Sequence, residues 1–243
     1  MEMNSLIFGD CLEKMERIPD GSIDMILCDP PYGTTPFSWD KELDFQKLWL
    51  QYKRIARPNA AILLFGQEPF SSLVRLSNLK MYKYDWFWEK ERLTNVFQVK
   101  RRPGKTIENI MVFYEKQCNY YPQKTSYKGR KVTNKIGKNA KIPEIIAGKN
   151  AIQPIEYIDD GTRHPTQLLK FNRDKEKFHK MQKPVALLEF LIKTYTTEGE
   201  LVLDNCMGSG STIVACINSR RNYIGIENKE NFFNTATKRI KFK

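Results

Sequence analysis

Asp29, Pro30, Pro31 and Tyr32 stand in a row where the apolar run SIDMILC, residues 22–28, comes to its end. Proline fixes φ and has no N–H, so two in succession make a stiff turn whose carbonyl oxygens have little competing self-bonding. Asp29 adds a carboxylate. Such a corner can accept two hydrogen bonds from one NH₂ group, one at Asp29 and one at the Pro30 carbonyl. An exocyclic amine on adenine or cytosine is a poor nucleophile because its lone pair is delocalised into the ring. Accepting both of its hydrogens favours a pyramidal nitrogen whose lone pair can attack. An aspartate with a pKa of about 4 is too weak to deprotonate a neutral amine outright. Its contribution is to stabilise charge that develops on nitrogen during transfer. Tyr32 offers a face on which an extruded base can stack, worth about 1–3 kcal/mol, against the cost of unstacking it.

A second constellation lies near the other end, in ELVLDNCMGSGSTIVACINSRRNYIGIE, residues 200–227. It runs strand, glycine turn, helix, strand. Gly208 and Gly210 let backbone approach a ligand, and Glu227, nineteen residues after Gly208, can accept hydrogen bonds from ribose hydroxyls. The spacing is neither that of a phosphate-cradling loop nor the full three-glycine dinucleotide fingerprint, which disfavours nucleoside triphosphates and NAD. Asp204 ends the strand, where it can hold an ammonium. A ligand with a nucleoside at one end and a cationic amino acid at the other is S-adenosyl-L-methionine. Either turn alone is compatible with a purely structural role; their agreement on one chemistry weighs against that.

Both turns need strands that end side by side. Seven segments read as strands: residues 5–10, 23–29, 60–66, 84–90, 108–116, 200–206 and 222–227. Several are continuously apolar, as strands covered on both faces of a largely parallel sheet are. Between them, residues 44–56 place Phe45, Leu48, Trp49, Tyr52 and Ile55 on one helical face, with Pro58 beyond. Residues 184–195 open on Pro184 and present Leu187, Leu188, Leu191 and Ile192. Residues 228–242 bring Phe232, Phe233, Ala236 and Ile240 together. An α/β sheet with helices on both faces is the expected fold.

The chain has 243 residues and a net charge of +12, which points to a polyanionic partner. The charge is clustered: residues 117–178 hold thirteen Lys or Arg against six Asp or Glu, interleaved with Tyr120, Tyr121, Tyr127, Tyr157, Phe171 and Phe178. A second basic segment, residues 90–105, joins two of the strands. Cys11, Cys28, Cys118, Cys206 and Cys216 form no C-x-x-C pair, and His164 and His179 lack ligand-spaced partners, so neither a disulfide framework nor a metal site is expected. The N-terminus does not read as a signal peptide and no apolar run reaches membrane length, so the expected compartment is the cytoplasm.

Taken together these blocks resemble the β-group of amino-methylating DNA methyltransferases, in which the catalytic motif precedes the cofactor motif. The likeness runs through GDCLEKMERIPDGSIDMILCDPPYG, YDWFWEK, RRPGKTIENIMVFYEKQ, HKMQKPVALLEFLI and LDNCMGSGSTIVA, in the family's order. It implies a Rossmann-like, seven-stranded, mostly parallel sheet, circularly permuted, as one catalytic domain over 1–243 with an inserted target-recognition region over 117–178. It implies an S-adenosyl-L-methionine-dependent enzyme acting on N6 of a flipped adenine in a specific duplex sequence. Cytosine-N4 transfer uses the same geometry and is the alternative; RNA or protein-glutamine transfer and a catalytically inactive DNA-binding relative are further ones.

By the same resemblance the catalytic residues are Asp29, Pro30, Pro31 and Tyr32. The cofactor residues are Asp10, Cys11, Asp29, Lys183, Pro184, Asp204, Cys206, Gly208, Ser209, Gly210, Ser211, Thr212, Glu227 and Asn228, with Lys183 and Pro184 bordering the methionine end. DNA contacts are expected from Lys90, Arg92, Lys100, Arg101, Arg102, Lys105, Lys124, Lys128, Arg130 and Lys131. The implied partners are double-stranded DNA, a second copy of the chain and a cognate restriction endonuclease. Two departures from the family pattern stand out. The block before the helix reads HKMQKP at 179–184 while an unconnected HPTQ occurs at 164–167, and Asn205 and Cys206 replace Pro-Phe after the cofactor aspartate.

Overall fold

The structure is a computed structural model that describes residues 2–33, 44–127, 160–176, 178 and 181–241. The first half contains β1 (Ser5–Phe8), α1 (Cys11–Met15), β2 (Ile23–Cys28), α2 (Phe45–Ile55), β3 (Ala56–Gly66), α3 (Phe70–Ser77), β4 (Tyr82–Glu89) and β5 (Ile107–Phe113). Then follow β6 (Thr125–Ser126), β7 (Thr162–Arg163), β8 (Leu168–Lys170), α4 (Val185–Tyr195), β9 (Leu201–Asp204), α5 (Ser211–Asn218), β10 (Asn222–Glu227) and α6 (Glu230–Lys241).

Among the described residues, eight strands form one sheet in the order β1-β10-β9-β2-β3-β5-β4-β8. Neighbours from β1 to β3 run parallel, β5 is antiparallel to both β3 and β4, and β8 runs parallel to β4. The strand that opens the chain therefore lies beside the strand that closes it, as the permuted order requires. β2 and β9 are neighbours, with Met25 opposite Val202 and Ile26 opposite Leu203, so the 29–32 turn and the 205–210 turn leave the same edge of the sheet.

The sheet has one strand more than the seven expected. β8 is three residues long, and only Leu169 points inward while Leu168 and Lys170 are exposed, too short a pattern to read from sequence. Its pairing with β4 assigns 166–178 to the main body: the chain divides into one unit of Met1–Tyr121 with Thr166–Lys243 and another of Pro122–Pro165. The smaller unit lies within the 117–178 segment expected to be the insertion. Gln167, from the HPTQ stretch, anchors this edge by donating to the Asp85 carbonyl at 3.1 Å. Within the smaller unit β6 pairs antiparallel with β7, Lys124 meets Asp160 at 3.0 Å, and Arg163 lies over the Tyr127 ring.

Both faces of the sheet are covered. On one, Leu48, Trp49, Tyr52 and Ile55 of α2 pack with Phe70 and Val74 of α3, Met15 of α1 and Phe113 of β5. On the other, Leu187, Leu188, Leu191 and Ile192 of α4 pack with Trp86, Trp88 and Ala215. This two-sided burial is why β2 and β9 are almost continuously apolar. α2 begins where the Asp44 side chain accepts from the Gln46 and Lys47 N–H groups, satisfying donors a helix start leaves unpaired.

Candidate active site

Asp29 follows the last residue of β2 and opens onto a cavity of about 770 Å³. Its two oxygens face different partners. Oδ1 accepts from the Tyr32 hydroxyl at 2.8 Å, and Oδ2 lies 2.5 Å from the Lys183 ammonium. Each oxygen of a carboxylate has a further lone pair, and the side chain keeps 29% of its surface exposed, so an incoming N–H can still be accepted.

Glu108 on β5 completes the cluster. The Lys183 ammonium reaches its Oε1 at 2.9 Å, the Lys90 ammonium reaches its Oε2 at 2.5 Å, and the Tyr32 hydroxyl lies 2.9 Å from Oε1. A phenol has one proton, so only one carboxylate can receive it at a time. Lys183 stands between the two and neutralises the repulsion. Buried Glu108 and half-buried Asp29 balance the two buried lysines, Lys90 and Lys183, in charge, which is what makes their burial tolerable.

The two carboxylates are held in different electrostatic conditions. Burial raises the Asp29 pKa above the usual carboxylate range and the Glu108 charge adds to that, while Lys183 and the Tyr32 hydroxyl oppose it. Burial also acts to raise Glu108, but Lys183 and Lys90 overcome it and hold its carboxyl down to about 2. Burial acts to lower the Lys183 pKa; Asp29 and Glu108 outweigh it, so the ammonium stays charged. Asp29 is the more basic carboxylate of the pair.

The Tyr32 ring stacks on Phe70, with centroids 4.7 Å apart and planes 27° from parallel. One face is taken by a buried neighbour; the opposite face is the one a planar base can use.

At the other side of the cavity, Asp204 ends β9 and is fully buried, with its carboxylate accepting the Cys206 N–H at 3.1 Å and a bond from Thr212. Burial pushes its pKa up to about 7, against the pull of those two donors. Glu227 ends β10, where Oε2 accepts the Gly208 N–H at 2.9 Å and Oε1 the Lys229 N–H at 2.8 Å. It thereby clamps the glycine turn. Gly208 has φ +51° and open space where a Cβ would stand, so a ligand can lie directly on the backbone. Arg239 of α6 fastens the turn from behind, donating to the Ser209 carbonyl and the Ser211 hydroxyl.

Most of the expected residues meet in this one cavity: Asp29, Pro30, Pro31 and Tyr32 with Asp10, Cys11, Lys183, Asp204, Cys206, Gly208, Ser209, Ser211, Thr212, Glu227 and Asn228. Several placements correct the sequence reading. Gly210, at φ +78°, turns away from the cavity: a Cβ there would lie 3.1 Å from that of Ala236, so this glycine serves helix packing. Pro184 is buried at the start of α4 and does not line the cavity. Lys183 contacts Asp29 rather than bordering only the cofactor end. Asp10 also caps α1, accepting from the Leu12 N–H at 2.8 Å.

Lys90 departs most clearly from expectation. It is buried on Glu108 with a side chain 7% exposed, so it cannot serve as an outward phosphate contact. Arg92, Lys100, Arg101 and Arg102 are exposed, and Lys105 is half-buried. Lys124 is engaged by Asp160. Lys128, Arg130 and Lys131 lie outside the described residues.

Sequence reasoning missed Glu108, whose only signal was a carboxylate inside an apolar strand, where charge must find a partner. It also missed Phe232. Helical spacing groups this side chain with Phe233, Ala236 and Ile240, but it lines the cavity and offers it an aromatic surface. Behind Cys206, Asn205 is buried and its Oδ1 accepts from the Tyr52 hydroxyl at 2.6 Å.

The family model described as DNA methylase (N6_N4_Mtase) matches residues 23–238. Among curated relatives, the chain is 28% identical over 272 residues to Type II methyltransferase M.HinfI of Haemophilus influenzae, covering 98% of this chain and 68% of that protein. It is 23% identical over 253 residues to DNA adenine methyltransferase YhdJ of Escherichia coli strain K12, covering 98% and 83%. Among solved structures, it matches the M1.HpyAVI–SAM complex with TM-score 0.64 and 24% identity, covering 97% of this chain and 98% of that one. It matches the PvuII cytosine-N4-specific DNA methyltransferase with TM-score 0.66 and 15% identity, covering 98% and 86%. At these identities the structural matches speak to the fold.

Proposed function

The chain belongs to the DNA methylase family, and from that premise we propose that it transfers the methyl group of S-adenosyl-L-methionine to the exocyclic N6 of an adenine flipped out of a specific duplex DNA sequence. The observation that carries this reading is the joint opening of Asp29 and the Asp204–Gly208–Glu227 group into one cavity. The donor chemistry of that cavity fits the cofactor. Asp204 suits an ammonium, the outer lone pairs of Glu227 suit ribose hydroxyls, Phe232 offers a ring surface and Gly208 leaves room at the backbone. When bound, the cofactor supplies an electrophilic methyl on a sulfonium.

The chain's own residues do the rest. Asp29 and the Pro30 carbonyl accept the two amine hydrogens, Tyr32 backed by Phe70 stacks the base, and Lys183 fixes Asp29 in place. As charge develops on nitrogen, the raised basicity of Asp29 lets it stabilise that charge and take the departing proton. The adenine assignment is further supported by the likeness to YhdJ, a DNA adenine methyltransferase.

Arg92, Lys100, Arg101, Arg102 and Lys105 are the phosphate contacts in this reading, and the basic insertion reads the sequence. A homodimer, a cognate restriction endonuclease and a cytoplasmic location complete it. No helix among the described residues is long and apolar enough to cross a membrane. A labelled-methyl assay on duplex DNA from an unmethylated host, followed by nucleoside mass spectrometry, tests the reading. N6-methyladenine is expected, and N4-methylcytosine in its place overturns the adenine assignment.

A further inference from the structure

Between β4 and β5 the chain makes a loop whose apolar residues face water. Phe97 is fully exposed, at 103% of its reference surface, and Leu93, Val96 and Val99 are exposed beside it. Single exposed apolar residues need no explanation, but a cluster of them does. This cluster is displayed on an ordered support. The Thr94 N–H donates to the Lys105 carbonyl at 3.0 Å, the Lys105 N–H to Asn95 Oδ1 at 2.6 Å, and Asn95 Nδ2 to the Pro103 carbonyl at 3.0 Å. The Arg101 and Arg102 N–H groups both donate to the Gln98 carbonyl, at 2.9 and 3.0 Å. Leu93 lies over Gly104, where a Cβ would come within 2.5 Å of it. These hydrogen bonds close the loop and leave Phe97 at its outer surface.

Two observations identify what the side chain meets. Phe97, Gln98, Arg102 and Lys105 line the same cavity as Asp29 and Tyr32, so the exposed ring stands at the mouth through which a base must enter. Along the loop itself the charge is of one sign: from Arg92 to Lys105 it carries Arg92, Lys100, Arg101, Arg102 and Lys105 and no acidic residue. A second copy of the chain meeting this face symmetrically would set like charges against like. A phosphate backbone complements them.

We propose that Phe97 is a wedge that enters the base stack of the duplex at the position vacated by the target adenine, with the basic residues around it gripping the flanking phosphates. The proposal rests on the adenine-transfer reading above and adds to it the residue that keeps the base out. An apolar side chain between base steps replaces stacking that the extruded base gives up. Phe97 is a positioning residue in this scheme, since it touches the neighbouring pairs rather than the reacting amine.

The test compares wild type, Phe97→Ala and Phe97→Leu in single-turnover methyl transfer on two duplexes bearing the sequence the wild type methylates. One is fully paired and the other has an abasic site opposite the target adenine. On the paired duplex Phe97→Ala should lose about tenfold or more, and Phe97→Leu clearly less. On the abasic duplex, where extrusion costs least, Phe97→Ala should return to within about threefold of wild type, with cofactor affinity by calorimetry unchanged throughout. Equal rates for wild type and Phe97→Ala on the paired duplex, or an equal loss on both duplexes, or a loss of cofactor binding, overturns the wedge while leaving the adenine reading intact. A wild type that methylates no adenine in either duplex overturns that reading and the wedge with it.

Discussion

Lys183 grips Asp29 from a distance in sequence of 154 residues, its ammonium 2.5 Å from Oδ2, and the same ammonium meets Glu108 at 2.9 Å. The residue that accepts the amine hydrogens is thus oriented by a cation from the segment before α4, and that cation is held by a carboxylate on β5.

Replacing Lys183 by methionine should remove this hold and leave Asp29 and Glu108 repelling each other across the Tyr32 hydroxyl. Because burial already raises Asp29, loss of the cation raises it further and leaves less of the carboxylate ionised at a given pH. The turnover number should fall about 10²–10³-fold with a much smaller change in KM for the cofactor. Steady-state kinetics of Lys183→Met check this, and a KM effect alone contradicts it.

Glu108→Gln tests the opposite sign. The Glu108 charge pushes the Asp29 pKa up, so its removal lets Asp29 ionise at lower pH. The acid limb of the kcat profile should move toward lower pH. The same substitution strips the buried Lys90 of its counter-charge, and thermal unfolding should show a loss on the order of 3 kcal/mol, recovered in part when Lys90 is also changed to methionine.

Asp204 makes cofactor binding pH-dependent. Burial holds its carboxyl up to about 7, so a ligand ammonium binds a group that must first lose its proton. Affinity should rise with pH and level off above about pH 8. Stability runs the other way. A carboxyl that binds its proton more tightly when folded stabilises the chain fully below its ordinary value of about 4. That contribution is lost as pH rises through about 7. Asp204→Asn should therefore abolish the pH dependence of cofactor binding, weaken it, and raise the melting temperature of the cofactor-free protein at alkaline pH. Calorimetry and thermal scans at several pH values read both effects.

The two glycines of the cofactor turn should separate cleanly. Gly210→Ala sets a Cβ at φ +78° and 3.1 Å from that of Ala236, and should cost about 1–3 kcal/mol of stability. Gly208→Ala is strained too, at φ +51°, but meets no neighbouring atom within 4 Å and stands where the turn lines the cavity. It should weaken cofactor binding out of proportion to any change in melting temperature.

Much of this site is legible in sequence because it rests on local chemistry. The Asp-Pro-Pro-Tyr corner is stiff wherever it stands, and an apolar strand leading into glycines and on to an acidic strand end has few uses. The apolar faces of α2 and α4 followed from their helical spacing and are buried as expected. What stayed hidden depends on contacts between distant segments. Glu108 acquires its role only because β5 runs antiparallel beside β4, which brings Lys90 within reach. Lys90 in sequence is one more basic residue beside Arg92. β8 has a single inward residue, too few to show a period, and the direction of Gly210 is set by Ala236 of α6.

The most direct measurement is nucleoside mass spectrometry of duplex DNA incubated with labelled S-adenosyl-L-methionine and either wild type or Asp29→Ala, with cofactor and DNA binding followed on the same samples. Wild type should deposit N6-methyladenine, and Asp29→Ala should bind both partners yet deposit none. Methylation by Asp29→Ala at the wild-type rate contradicts the role assigned to the acceptor corner.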